Sequence, residues 1–195
     1  MRRFLLLGQT GVGKSSFVNA TFGVRLASTS DFEACTKTVE YYSRHHTFGD
    51  ICLIDTPGLA EDTLERDEAY LRLISGQVKL DELFAAIYIT RLDDNRLRPD
   101  EQRTLSRLTR YLGAKVWRRS WLVMTFAASV PAARRVDVIA KRIEQLEGYL
   151  RQIALSDGDG SSFTGFNMRV VIDNVVADWT KEGKPILSIL ADDNN

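Results

Sequence analysis

Between an apolar run, Phe4-Leu5-Leu6-Leu7, and a segment able to form a helix, the chain reads Gly8-Gln9-Thr10-Gly11-Val12-Gly13-Lys14-Ser15. The glycines let the backbone curl with its N–H groups turned inward, forming a nest for anionic oxygen that Cβ atoms would obstruct. The helix that follows adds the positive end of its dipole. Lys14 supplies a cation for neighbouring phosphates, and the Ser15 hydroxyl a ligand for the Mg²⁺ that accompanies them. The bland alternative is a glycine-rich turn with an incidental lysine; the strand before the motif and the helix after it weigh against that. Gly8, Thr10, Gly11, Val12, Gly13, Lys14, Ser15 and Ser16 are the candidate nucleotide-phosphate residues.

A second cluster, Asp55-Thr56-Pro57-Gly58, closes the apolar run Ile51–Ile54, 41 residues after Lys14. A carboxylate at the C-terminal end of a sheet strand lies where ligands bind in open α/β sheets. There Asp55 can support Mg²⁺, and the Gly58 N–H can approach a terminal phosphate without side-chain interference. Between the two clusters runs 23–38, poor in apolar periodicity and rich in hydroxyls, from which Thr36 or Thr38 can offer the metal one more oxygen.

These groups need a scaffold. Strand-length apolar segments recur at Phe4–Leu7, Ile51–Ile54, Leu83–Ile89, Trp121–Phe126 and Met168–Ile172, several of them apolar on consecutive positions, as strands covered on both faces are. Helical patterns lie between them: Leu105, Leu108 and Leu112 after Pro99, and Val136, Ile139, Ile143, Leu146, Leu150 and Ile153 after Pro131. Alternating strands and helices predict a three-layer α/β fold with a mostly parallel sheet. The polar-alternating run Val39–His45, joined to Ile51 by a short turn, reads as one antiparallel edge strand. The expectation is a single domain over 1–195 with a flexible loop at 156–165.

The chain has 195 residues, 44% hydrophobic and 27% charged, with equal acidic and basic counts. Zero formal charge removes the bulk attraction that non-specific nucleic-acid binding needs. Cys35 and Cys52 cannot make a disulfide framework and read as reduced thiols of a cytoplasmic protein. No apolar run approaches the ~18 residues that span a bilayer. The apolar start ends at Gly8, too soon for a signal peptide.

With Lys14 and Asp55 placed, the sequence resembles the paraseptin GTPases, the group that holds the chloroplast outer-envelope import receptors (Toc type) and the immune-associated nucleotide-binding proteins. No Asn-Lys-x-Asp motif occurs; in its place Thr125-Phe126-Ala127-Ala128-Ser129-Val130-Pro131 is similar to the Thr-His-x-x-x-x-Pro segment of that group. Cys35-Thr36-Lys37-Thr38 resembles its first switch, which selects Thr36 over Thr38. Arg91-Leu92-Asp93-Asp94-Asn95-Arg96 resembles the Arg-Leu-Asp-x-x-Arg segment of the import receptors, and Ile172-Asp173-Asn174 their final Glu-Asn pair.

The resemblance implies a P-loop fold of Ras-like type, GTP/GDP binding with Mg²⁺, slow hydrolysis and nucleotide-linked homodimerisation. It implies membrane association in many relatives, whose C-terminal anchor has no counterpart here, so that peripheral attachment through a partner or a missing segment is the form expected. It assigns guanine to Asp173 and Asn174, base stacking to Phe126 beside Thr125, and a dimer contact with the partner's nucleotide to Arg96. The alternatives are ordinary: a turn at Asp173-Asn174, core packing for Phe126, and a solvated loop in which Arg91, Asp93, Asp94, Arg96 and Arg98 pair among themselves.

No glutamine follows Gly58 to hold an attacking water, so slow turnover is expected; Glu61 reads as an exposed carboxylate. His45-His46 lacks a third metal ligand. Arg134-Arg135 and Lys141-Arg142 read as the solvated face of the long helix, and Trp117 and Trp121 as core and rim. Two further readings stay open: a nucleotide-gated scaffold with negligible hydrolysis, and an ATP-using P-loop protein.

Overall fold

The structure, a computed structural model, describes residues 1–27, 36–45, 49–59, 64–94, 96–156 and 163–172. Its strands are β1 (Arg2–Leu7), β2 (Glu40–Arg44), β3 (Ile51–Asp55), β4 (Ala85–Arg91), β5 (Ser120–Thr125) and β6 (Met168–Val171). They form one sheet in the order β2-β3-β1-β4-β5-β6. Every neighbouring pair is parallel except β2–β3, where Glu40 lies opposite Asp55 and Arg44 opposite Ile51. The expected antiparallel edge strand is therefore in place.

Alternation along β1 shows how the layers arise. Leu5 and Leu7 enter a core shared with α2 (Leu64–Gln77), α3 (Pro99–Leu112) and α4 (Ala132–Ser156), whereas Phe4 and Leu6 enter a second core with Phe17, Val18 and Phe22 of α1 (Lys14–Phe22). Successive side chains of a strand point to opposite faces, so a strand covered on both must be apolar throughout. All of β3 and β5 is buried, as that argument requires. Pro99 opens α3, with Asp100 and Glu101 in the first turn, where the helix dipole favours carboxylates.

The long helix corrects two expectations. Val136 does not join the apolar face: it is 76% exposed. Arg142 is not solvated: it is buried between α4 and α3 against Glu101. Trp117 and Trp121 are both fully buried core residues, one against Tyr88 and the other against Phe4. Of the expected loop at 156–165, residues 157–162 lie outside the described ones, and Phe163 packs edge-on against Phe166 within the core. Among the described residues no helix is long and apolar enough to cross a membrane.

Candidate functional site

The C-terminal ends of β1 and β3 bring the two sequence clusters together. Backbone bonds zip them: Thr10 N donates to Leu59 O at 3.0 Å and Leu59 N to Gly8 O at 3.3 Å. The Thr56 hydroxyl, buried, donates to Leu6 O at 2.6 Å and fixes the second cluster to β1. Glycine is obligatory at this seam. A Cβ on Gly58 would stand 2.2 Å from Thr10 Oγ1 and 2.5 Å from Thr10 Cα, and one on Gly8 2.4 Å from the Ile89 carbonyl oxygen.

Lys14 and Ser15 open α1, so the N–H groups of Lys14, Ser15 and Ser16 have no acceptor one turn earlier in the helix. The Lys14 ammonium folds over the loop and donates to Gln9 O at 2.9 Å and Gly8 O at 3.4 Å. Gln9 reaches outward, its amide donating to Asp100 of α3 at 3.1 Å. Ser15, Thr36 and Asp55 converge: Asp55 Oδ2 accepts from Ser15 Oγ at 2.8 Å and from Thr36 Oγ1 at 3.2 Å, and the two hydroxyl oxygens lie 3.1 Å apart. Thr36 is buried and Thr38 exposed, so packing places Thr36 on the site.

Asp55 is sealed from solvent, and its second oxygen, Oδ1, has no partner among the described residues. Burial pushes the Asp55 carboxyl above the usual carboxylate range; the Lys14 charge and the two hydroxyls pull the other way, and Glu40 on β2 adds to the rise. An orphaned buried carboxylate oxygen beside two hydroxyls is an all-oxygen donor set, the kind that suits a small hard cation such as Mg²⁺. No group of three or more His, Cys, Asp or Glu side chains able to hold a metal occurs among the described residues.

A family model decides the relationship: that of the AIG1 family matches residues 2–154. The chain belongs to the AIG1 family. Translocase of chloroplast 33 of Arabidopsis thaliana is 34% identical over 148 residues, covering 71% of this chain and 50% of that protein. Translocase of chloroplast 90 of the same plant is 30% identical over 164 residues, covering 80% of this chain and 21% of that protein. The chain thus spans between a fifth and a half of the length of these curated relatives. Toc33 from Arabidopsis thaliana, solved in complex with GDP and Mg²⁺ and as a dimerization-deficient mutant, superimposes with a TM-score of 0.74 at 27% identity, covering 89% of this chain and 70% of that one.

In this AIG1 domain the remaining expected site residues divide. Thr125 is fully buried, and its hydroxyl reaches the Val12 carbonyl at 2.8 Å and the Thr90 carbonyl at 3.1 Å, so its side chain supports the phosphate loop from below. Among the described residues Phe126 packs into neither core, contrary to the bland expectation; it is half-buried, with the Arg91 guanidinium 3.8 Å from its ring centre. In the charged loop Arg91 pairs with Asp93 and Arg98 with Asp94, while Arg96 is exposed and without an ion pair among the described residues. Asp173, Asn174, Cys35, His46, Glu61 and Asn95 lie outside the described residues.

Sequence reasoning missed a polar cluster directly behind the site. Glu101 Oε1 accepts from the Thr90 hydroxyl at 2.7 Å and from the Tyr88 hydroxyl at 3.2 Å, and Arg142 donates to Glu101 Oε2 at 2.5 Å and to Thr90 Oγ1 at 2.6 Å. A signal existed: Arg142 stands four residues before Leu146 on the buried line of α4, and Glu101 four before Leu105 on that of α3.

Proposed function

We propose that this chain is a GTP-binding protein that takes GTP or GDP with Mg²⁺, hydrolyses GTP slowly and couples its nucleotide state to homodimerisation. The observation that carries the reading is the convergence of Ser15, Thr36 and Asp55 on one buried point beside the Lys14 ammonium. The solved complex of Toc33 with GDP and Mg²⁺ supports it.

In this reading the backbone from Gly8 through Thr10, Gly11, Val12 and Gly13 to Ser16 wraps the β-phosphate. The Lys14 ammonium turns from the loop carbonyls to the β- and γ-phosphate oxygens, and Thr36 and the Gly58 N–H close on the γ-phosphate. Ser15, Thr36 and Asp55 hold Mg²⁺, which when bound neutralises phosphate charge and favours departure of the diphosphate. Asp55 must be ionised for this, and Lys14 helps to keep it so. Asp173 accepts from the two donors of the guanine edge, Asn174 serves the carbonyl, and Phe126 stacks on the ring; adenine would leave the Asp173 carboxylate unpaired. With no glutamine next to Gly58, the isolated protomer turns over slowly. Arg96, exposed on the loop before α3, neutralises phosphate charge across a dimer in this reading. Zero formal charge supports partners other than nucleic acid. The chain works in the cytoplasm, with attachment to a membrane supplied by a partner or a further segment.

Competition of GTP and ATP for the site, read by displacement of labelled GDP in Mg²⁺, tests the reading. We expect GTP to displace the label and ATP to fail at equal concentration, and Lys14→Ala to bind neither. Equal displacement by ATP would remove guanine recognition, and uptake of neither nucleotide would remove the function.

A further inference from the structure

The stacked pair Arg91–Phe126 is unexplained by the phosphate and metal chemistry. Phe126 is the one non-glycine residue with positive φ among the described residues, at φ 57° and ψ 36°. An unbranched aromatic residue gains nothing locally from that left-handed conformation, so its surroundings must hold it there. Three bonds do so. Leu92 N donates to Thr125 O at 2.9 Å, Ala127 N to Ile172 O at 3.3 Å, and Ser129 N to Phe126 O at 3.1 Å. The ring is thereby fixed on the C-terminal rim of the sheet, one residue beyond the Thr125 hydroxyl that supports Val12 of the phosphate loop.

The guanidinium is fixed as firmly. Arg91 leaves β4 opposite Thr125, and Asp93 accepts its fork through both carboxylate oxygens, from Nε at 3.0 Å and from Nη2 at 2.7 Å. A fork held in this way has little freedom left to leave the ring face. The arrangement is a half-exposed aromatic ring, outside both cores, set in an uncommon backbone conformation next to a phosphate loop and capped on one face by a locked cation. Core packing accounts for none of it.

We propose that Arg91 is a positioning residue for the nucleotide base: clamped by Asp93, it caps one face of Phe126 and presents the other as a stacking surface for a planar purine. The inference rests on the proposed nucleotide function and deepens it. Arg91 acts through the ring and touches no ligand.

Calorimetric titration of GDP and of pyrophosphate, both with Mg²⁺, into the unaltered chain, Arg91→Ala, Phe126→Ala and the double variant tests this. Pyrophosphate, having no base, reads the phosphate loop alone. A cation over an aromatic face is worth enough that Arg91→Ala should weaken GDP by about 3- to 30-fold. Pyrophosphate affinity should be unchanged, and the double variant should bind GDP no worse than Phe126→Ala. Equal losses for GDP and pyrophosphate, or additive losses in the double variant, would overturn the proposal. Tighter GDP binding by Arg91→Ala would overturn it too, by showing that the guanidinium competes with the base. An unaltered chain that takes up pyrophosphate but not GDP would overturn the proposed function and this inference with it.

Discussion

Arg142 of α4 and Glu101 of α3 meet at 2.5 Å with only 1% and 4% of their side chains exposed. Each charge is sealed in by the other's element, and Arg142 Nε and Nη1 have no partner among the described residues. Removing one member of such a pair strands the other without water. We expect Glu101→Gln to destabilise the fold by about 3–5 kcal/mol, and the apolar double replacement Glu101→Leu with Arg142→Met to cost much less. Urea denaturation of the three proteins measures this; a double variant as unstable as the single one would refute it.

The Gly58–Thr10 contact makes a sharper demand. Gly58→Ala must force the two ligand loops apart, at a cost of about 1–3 kcal/mol, and should weaken nucleotide binding along with stability. Trimming the neighbour cannot rescue it, since the clash includes Thr10 Cα at 2.5 Å and Thr10 N at 2.7 Å. Recovery of binding in Gly58→Ala combined with Thr10→Ala would contradict the geometry.

Asp55 sets a pH dependence whose sign follows from its surroundings. Burial is the largest influence and raises its carboxyl above the ordinary value of 3.8. A carboxyl raised on folding favours the fold most at pH below its unfolded value, and that contribution is lost as pH rises through the folded value. Without metal, Asp55→Asn should therefore be at least as stable as the unaltered chain at neutral pH and lose the acid-side gain. Its Mg²⁺-dependent nucleotide affinity should fall sharply. Thermal melts in chelator between about pH 4 and 8 read the first effect, and nucleotide titration with and without Mg²⁺ reads the second. A strongly destabilised Asn variant in chelator would be the wrong sign.

Arg96 is exposed and makes no ion pair among the described residues, so replacing it should leave the protomer's fold alone. We expect Arg96→Ala to melt within about 0.5 kcal/mol of the unaltered chain while losing nucleotide-dependent association in sedimentation. Unchanged association would assign the dimer contact elsewhere.

Much of this was legible in the sequence because its signals are local. Gly8 to Ser15 and Asp55 to Gly58 announce their backbone shapes, and the consecutive apolar positions of β3 and β5 announce strands buried on both faces. The remainder depends on packing between distant segments. Thr36 and Thr38 offer the same hydroxyl, and resemblance alone favoured Thr36; the fold turns that one toward Asp55. Arg142 sits beside the exposed Lys141, and its charge obscured its place on the Leu146–Leu150 line. Val136 fitted that line by spacing, yet it faces solvent. Phe126 was singled out by resemblance alone; what holds it in place comes from Arg91, on a different strand.

The Thr125 hydroxyl has a single hydrogen and two carbonyls within reach, one under the phosphate loop and one on Thr90. Thr90 is also the residue whose own hydroxyl joins the Glu101–Arg142 pair. The floor of the proposed phosphate site and the joint between two outer helices therefore share a common rivet. Substitutions on either side of it should fail to add in free energy, as neighbours in one bonded network do, so that a lesion at the helix joint would be felt as looser grip on phosphate.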